Sequence, residues 1–375
     1  MAIDNSIRNK AYFGEVSTNG IAGIGSASIN DITDVTKTHL CNVGKDDHNG
    51  MAIYKNRSGS SGRTFMAFGF THNEDNYIRQ FIGCVEHNGD LYNNPIMIEF
   101  PNKTTYAQVF NTKENQTYSQ NRLLLITRVN ITDWYGVFST NYSGKTWGTP
   151  QPIVKADRQY YVMFRETTTN GLLRMVMYSN PNLTRTDTRI RMGFLNMTSG
   201  NIYNADGTTL LGSMATGGVD YTSFDIIIDI NGYNESQTSD TANEKRNRLL
   251  DVAITAPNQP FIAYASFTGI SDAEYYVYYN GTNIDVTACG DPFYQPSVYV
   301  GGMIFTPKNP DIIYLSRKIS NISRLEKWMY SNGAYTLDSE IDRGENGLVW
   351  CIRPIIDEDG TIIFYQKGSC NVGNF

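Results

Sequence analysis

Tyr275-Tyr276-Val277-Tyr278-Tyr279-Asn280-Gly281 is an aromatic and β-branched run closed by a dipeptide suited to positive φ at both of its positions. It reads as a strand entering a two-residue hairpin, and the same combination recurs along the chain. Turn dipeptides stand at Asn49-Gly50, Asn88-Gly89, Asn170-Gly171, Asp206-Gly207, Asn231-Gly232, Asn332-Gly333, Asn346-Gly347 and Asp359-Gly360. Between them lie short apolar or alternating runs at 64–70, 123–127, 160–164, 172–178, 224–230, 260–267, 298–305, 312–316 and 361–366. Helical periodicity is nearly absent, and the stretch that comes nearest to it is 241–250. The chain is therefore expected to be all-β.

Hairpins repeated over 375 residues must dispose of their unpaired edges, either by packing two sheets or by repeating four-stranded blades around an axis. No linker composition divides the sequence, so residues 1–375 are expected to form one β-propeller domain. At about 50 residues per blade, seven four-stranded blades fit this length. Residues 1–40 would join the ring as its N-terminal segment, and residues 361–375 would supply a closing strand.

Aromatic residues make up 12% of the chain and charged residues only 18%, a balance that suits short strands better than solvated helices. A net charge of −6 argues against a nucleic-acid partner, since phosphate binding needs a cationic face. An anionic polysaccharide or oligosaccharide can still enter a locally basic cleft. The N-terminal residues 1–12 lack the apolar core of a signal peptide, and no run reaches the roughly 18 apolar residues of a membrane span. A soluble protein with no membrane partner is expected, acting outside a cell or as part of a phage particle; the oligomeric state stays open. Cys41, Cys84, Cys289, Cys351 and Cys370 are odd in number, widely spaced and without a C-x-x-C pair, so buried free thiols are expected. The N-x-S/T sequons of this Asn- and Thr-rich chain, from Asn56 to Asn321, read as composition.

Two polar clusters, Asp46-Asp47-His48-Asn49 and Thr71-His72-Asn73, flank the run 64–70. Farther on stand Thr105-Tyr106-Ala107-Gln108 and then Arg128, which closes the run 123–127. Imidazole, phenol and guanidinium at the ends of successive strands are the groups needed to neutralise a sugar carboxylate and move a proton. Each also has a plain structural alternative. His48 can orient a turn, His72 can be a hydrogen-bonded strand-end residue, and Arg128 can bridge to a neighbouring blade. Tyr106 is one of 25 tyrosines, and Tyr161, a candidate sugar platform, has Tyr160 beside it. His39 and His87 have no partner pattern. No G-x-S-x-G elbow, P-loop or H-E-x-x-H occurs, nor the arginine triad and Tyr–Glu pair of a sialidase.

The segment Ser139-Thr140-Asn141-Tyr142-Ser143-Gly144-Lys145-Thr146-Trp147 resembles the Asp-box, a structural hairpin turn of sialidase-like propellers, with Tyr142 at the aspartate position. From Asp46 to about Leu211, the order of motifs resembles a sialidase-like, neuraminidase-repeat propeller family that includes ulvan lyases and rhamnose-glucuronate-cleaving enzymes. The matching pieces are Asp46-Asp47-His48-Asn49, Phe68-Gly69-Phe70-Thr71-His72 with Tyr77-Ile78-Arg79, Thr105-Tyr106-Ala107-Gln108, Arg128, the Asp-box-like turn, Tyr161-Val162, and Ile202-Tyr203-Asn204-Ala205-Asp206-Gly207-Thr208. The resemblance implies catalytic roles for His48 and Tyr106, with His72 and Arg128 holding a uronate carboxylate. The family's lyases carry a structural zinc in a later blade, but residues 260–280 contain neither His nor Cys, so no metal or other cofactor is expected.

The chemistry stands without the family. The C5 proton of a uronate becomes acidic only when its carboxylate charge is offset, which Arg128 and His72 would do. His48 is near the right pKa for a base, and Tyr106 could protonate the glycosidic oxygen as the C4=C5 bond forms. The expected function is thus a polysaccharide lyase acting by β-elimination. The alternatives are a rhamnosidase-type hydrolase on the same propeller and a non-catalytic glycan-binding or phage receptor-binding propeller.

Overall fold

The computed structural model describes residues 2–4, 10–16, 21–28, 35–42, 50–56, 64–72, 74–84, 94–112, 122–141, 143–179, 189–229, 245–268, 274–287, 302–306, 309–319, 322–343, 355–356 and 362–364. Among these residues the only helical turns are two of 3-10 type, Met214–Thr216 and Tyr221–Ser223; the rest of the regular structure is strand. Among the described residues the strands form seven sheets, taken in chain order and built almost wholly by pairing each strand with its neighbour in sequence. Sheets one, two, five and six have four strands each. In the third, the strands Thr104–Asn111, Leu123–Val129, Asp133–Phe138 and Gln151–Lys155 are followed by Val219–Asp220, which pairs in parallel with Gln151–Lys155 and covers that edge. The fourth is built on Tyr160–Glu166, Leu172–Ser179 and Ile190–Asn196 with three short additions, and the seventh is described only as Ile355–Ile356 paired with Ile362–Phe364.

The second to sixth sheets pack each against the next, so the inner strands between them are buried on both faces and lose simple alternation. Leu123–Val129 shows how. Leu123, Leu125 and Val129 face a core shared with Met66, Phe68 and Ile78 of the second sheet, while Leu124 and Ile126 face a core shared with Val162, Phe164 and Met175 of the fourth. The weakly helical stretch 241–250 follows the same rule. Lys245–Val252 is a strand whose Leu249 and Leu250 enter two different cores, so consecutive apolar residues reflect two covered faces rather than a helix.

The hairpin that opened the sequence argument is present. Tyr275–Tyr279 lies within the strand Glu274–Tyr279, and Asn280 and Gly281 take φ of 48° and 82°, the all-positive pair of a tight two-residue turn. Several strands match their sequence runs closely, Thr64–Phe70 among them, whereas Asn309–Ile319 extends the run 312–316 at both ends. The turns at 88–89, 231–232, 346–347 and 359–360 lie outside the described residues, as do the side chains of all five cysteines.

The Asp-box-like turn closes without its aspartate. The Asn141 side chain accepts from the Ser143 backbone N–H at 3.0 Å, and Ser139 bridges to Trp147. Tyr142 lies outside the described residues. The Trp147 indole donates to Gln80 Oε1 at 2.8 Å and meets Phe68 edge-on at 6.0 Å, so the turn ties the third sheet to the second. Gly144, at φ +63°, lets the backbone approach Leu123 and Met66 where a Cβ would sit 3.0 Å from each.

Buried charge joins the later sheets. Asp251 takes an ion pair from Arg165 of the fourth sheet and accepts from the Phe305 N–H of the sixth at 2.9 Å. Asp251→Ala would leave that N–H unpaired. It is expected to cost about 2 kcal/mol, less than a fully buried pair would, because Arg165 can turn back to solvent. Urea denaturation of the variant checks this.

Candidate active site

Two adjacent free edges create the site. Thr104–Asn111 and Tyr160–Glu166 are each the terminal strand of their sheet, and Gln108 Nε2 donates across to the Val162 carbonyl at 3.5 Å. Antiparallel pairing brings the candidate residues to one end of these sheets. Arg128 lies near the end of Leu123–Val129, opposite Thr105 at the start of Thr104–Asn111. Tyr161 lies at the start of Tyr160–Glu166, opposite Tyr178 near the end of Leu172–Ser179. His72 follows the end of Thr64–Phe70 in the second sheet.

Tyr106 owes its position to a bulge. Pairing between Thr104–Asn111 and Leu123–Val129 shifts between Ile126 and Arg128, so Tyr106 and Ala107 together oppose Thr127. Tyr106 takes φ +57°, a left-handed conformation that costs a non-glycine residue about 1 to 3 kcal/mol and concentrates at functional sites. Buried Thr127 fixes the kink by donating its hydroxyl to the Thr105 carbonyl at 2.8 Å. The bulge turns the Tyr106 ring onto its neighbours. It lies 6.4 Å from the His72 ring and 5.8 Å from the Tyr161 ring, with the Arg128 guanidinium 4.6 Å from its centroid.

Arg128 is 0% exposed, yet none of its three guanidinium nitrogens makes a hydrogen bond of normal geometry. Its charge is met by ring faces, those of Tyr106 and of Tyr161 at 5.4 Å. Such contacts return about 2 kcal/mol when desolvated, against a burial cost of several. Burial accordingly pushes the guanidinium below its ordinary pKa, opposed by the phenols of Tyr106 and Tyr161. Arg174 is the contrasting case. It is equally buried, but its nitrogens donate to the carbonyls of Ala253, Ala256 and Pro257 and to Thr255 Oγ1 at 2.7–3.3 Å. Arg174 holds the loop 253–257, whereas Arg128 lies against the half-buried rings of Tyr106 and Tyr161, which in turn meet half-buried His72 and Tyr178.

The Tyr106 phenol is raised well above its ordinary value, first by burial and then by Tyr161, with Arg128 pulling the other way. It is therefore a neutral O–H over the whole physiological range. Tyr161 stacks on Tyr178 at 5.3 Å and 28°, and Gln159 Nε2 reaches its hydroxyl at 3.4 Å.

The structure thus brings together His72, Tyr106, Arg128 and Tyr161, all four named from the sequence. His48 lies outside the described residues. Sequence reasoning missed Tyr178 and Thr127. A register argument across 160–166 and 172–178 could have found Tyr178, whereas nothing in the sequence marks the bulge, since its left-handed position carries Tyr rather than Gly.

No family model and no curated protein matches the chain. Among solved structures it is similar to an ulvan lyase described as a new family of polysaccharide lyase and bound to -[GlcA(1-4)Rha3S]-, with 13% identity, a TM-score of 0.66, and coverage of 95% of this chain and 86% of that one. The same lyase without the glycan matches at 13% identity and a TM-score of 0.65 over the same shares. The fucose-binding lectin of Aleuria aurantia, described as a six-bladed β-propeller, aligns over 89% of this chain and 95% of its own at 10% identity, with a TM-score of only 0.38. The fold is accordingly all-β and propeller-like, of the kind seen in the ulvan lyase.

Proposed function

We propose that this chain is a polysaccharide lyase that cleaves beside a uronic acid by β-elimination. The observation that carries the reading is the buried Arg128 guanidinium, which makes no hydrogen bond of normal geometry and lies against the rings of Tyr106 and Tyr161, with His72 beside Tyr106. A planar carboxylate supplies the acceptors that the guanidinium lacks. With that charge held by Arg128 and His72, a base removes the C5 proton, electrons move into a C4=C5 bond, and the C4–O bond breaks. The departing oxygen takes the proton of Tyr106. Burial keeps this phenol protonated, which suits it to the acid role rather than the base role. His48 is the proposed base. Gly50 pairs opposite Phe70, so the strand after His48 begins at the same end of the sheet from which His72 leaves, which supports this assignment. The cycle closes when the proton held by His48 returns through solvent to the Tyr106 oxygen. Tyr161 is proposed to line the sugar subsite.

The proposed architecture is a ring of seven blades forming one domain, in keeping with seven sheets in chain order. The proposed partner is an anionic, uronate-containing glycan, and no cofactor enters the scheme. Among the described residues no helix is long and apolar enough to cross a membrane.

A screen of uronate-containing polysaccharides, followed by ultraviolet absorbance of the C4=C5 enol ether and by new reducing ends, tests this reading. Both signals are expected to rise together. Reducing ends without absorbance would mean hydrolysis, the rhamnosidase-type alternative. Glycan binding with neither signal would mean a binding module, a role that a cation ringed by half-buried tyrosines also suits.

A further inference from the structure

We propose that Tyr178 is the positioning residue that sets the geometry of this site by holding Tyr161. The inference rests on the lyase reading. Tyr161 is the hinge of the cluster: its ring meets Tyr106 at 5.8 Å and 64° on one side and lies 5.4 Å from the Arg128 guanidinium. Yet Tyr161 belongs to the free edge of the fourth sheet and does not point into the core there. Tyr160, Val162 and Phe164 take the side shared with the third sheet, and Tyr160 stacks on Tyr221. Tyr161 projects from the opposite face, so core packing does not fix its ring.

What stands against the ring on that face is Tyr178. The two residues are directly paired across Tyr160–Glu166 and Leu172–Ser179, and their rings stack at 5.3 Å and 28°. Aromatic pairs in this cross-strand position attract each other enough to hold one rotamer over its alternatives. The order of support therefore runs from Tyr178 to Tyr161 to Tyr106 and Arg128. Without the Tyr178 ring, Tyr161 is free to swing along its sheet edge. Water would then reach the guanidinium, and Tyr106 would lose the neighbour that helps to keep its phenol neutral.

The test compares Tyr178→Leu and Tyr178→Phe with the wild type in turnover of a uronate-containing polysaccharide. Removing the ring is expected to lower kcat by about 10- to 100-fold with a smaller change in KM, the scale that follows from misplacing a catalytic group by about an ångström. It should also move the alkaline limb of the kcat profile to lower pH. Tyr178→Phe keeps the stacking surface and should restore both kcat and the limb. A folded Tyr178→Leu protein with wild-type kcat and an unmoved limb would overturn the proposal, as would a Tyr178→Phe protein as impaired as Tyr178→Leu. If the wild type turns over no uronate glycan, the lyase reading fails by itself. Calorimetric titration with glucuronate then decides the positioning role: weaker binding by Tyr178→Leu but not by Tyr178→Phe supports it, and equal binding by all three proteins overturns it.

Discussion

Arg128→Met is expected to fold as stably as the wild type or more so, while losing about 10²- to 10³-fold in turnover. The stability half of this result follows from an imbalance in the fold. A guanidinium at 0% exposure with no hydrogen bond of normal geometry is a net cost that two ring faces repay only in part. A methionine fits between the same rings, makes favourable sulfur–aromatic contacts and carries no charge to desolvate. The activity half follows from where charge develops. Elimination gathers negative charge on the carboxylate as C5 loses its proton, so a cation placed there acts more strongly on the transition state than on the bound substrate. The loss should thus fall mainly on kcat, and equal losses in kcat and in binding would mark Arg128 as an anchor only. Arg174→Met is the control. It removes four hydrogen bonds from the loop 253–257 and is expected to cost about 3 kcal/mol in denaturant unfolding. Two arginines of equal burial would then move stability in different directions, which separates a binding group from a structural one.

Tyr106→Phe is expected to fold normally and to lose about 10²- to 10⁴-fold in kcat, because the ring and the bulge survive while the departing oxygen has no proton donor. Tyr106→Gly separates strain from chemistry. It relieves the left-handed conformation at φ +57° but also removes the ring from Arg128, so turnover should fall at least as far without any matching gain in substrate binding. The pH dependence has a definite sign. The native phenol is raised above the unfolded value of about 10, so its contribution to stability is intact below that pH. It is lost as the pH rises further, since the unfolded chain ionises first. Activity limited by loss of the Tyr106 proton should accordingly persist past pH of about 10, and any decline below that must come from another group. A kcat profile of the wild type, set beside urea denaturation of the wild type and Tyr106→Phe at alkaline pH, checks both statements.

The all-β class was legible because hairpin chemistry is local. Asn280-Gly281 and Asn332-Gly333 both adopt the positive φ pair that their residue types prefer, and the runs between such turns became strands. Lys245–Val252 was less legible, since burial on two faces erases the period-two signal that marks a half-exposed strand. Of the candidate site, the sequence singled out four side chains that lie together, His72, Tyr106, Arg128 and Tyr161, and their roles are the proposal made above. Their geometry was not legible, because it comes from tertiary context. The bulge at Tyr106 depends on the Thr127 hydroxyl in the next strand, and the Tyr161 ring is set by the cross-strand Tyr178. Neither dependence has a signature within a short window of sequence.

A crystal structure of Tyr106→Phe soaked with a uronate-containing tetrasaccharide tests the account most directly, because the slowed protein should hold intact substrate. The account predicts carboxylate oxygens at about 2.7–2.9 Å from the Arg128 guanidinium nitrogens, with the glycosidic oxygen facing the ring that lost its hydroxyl. A bound glycan whose carboxylate lies elsewhere, with Arg128 still without an acceptor, would contradict it.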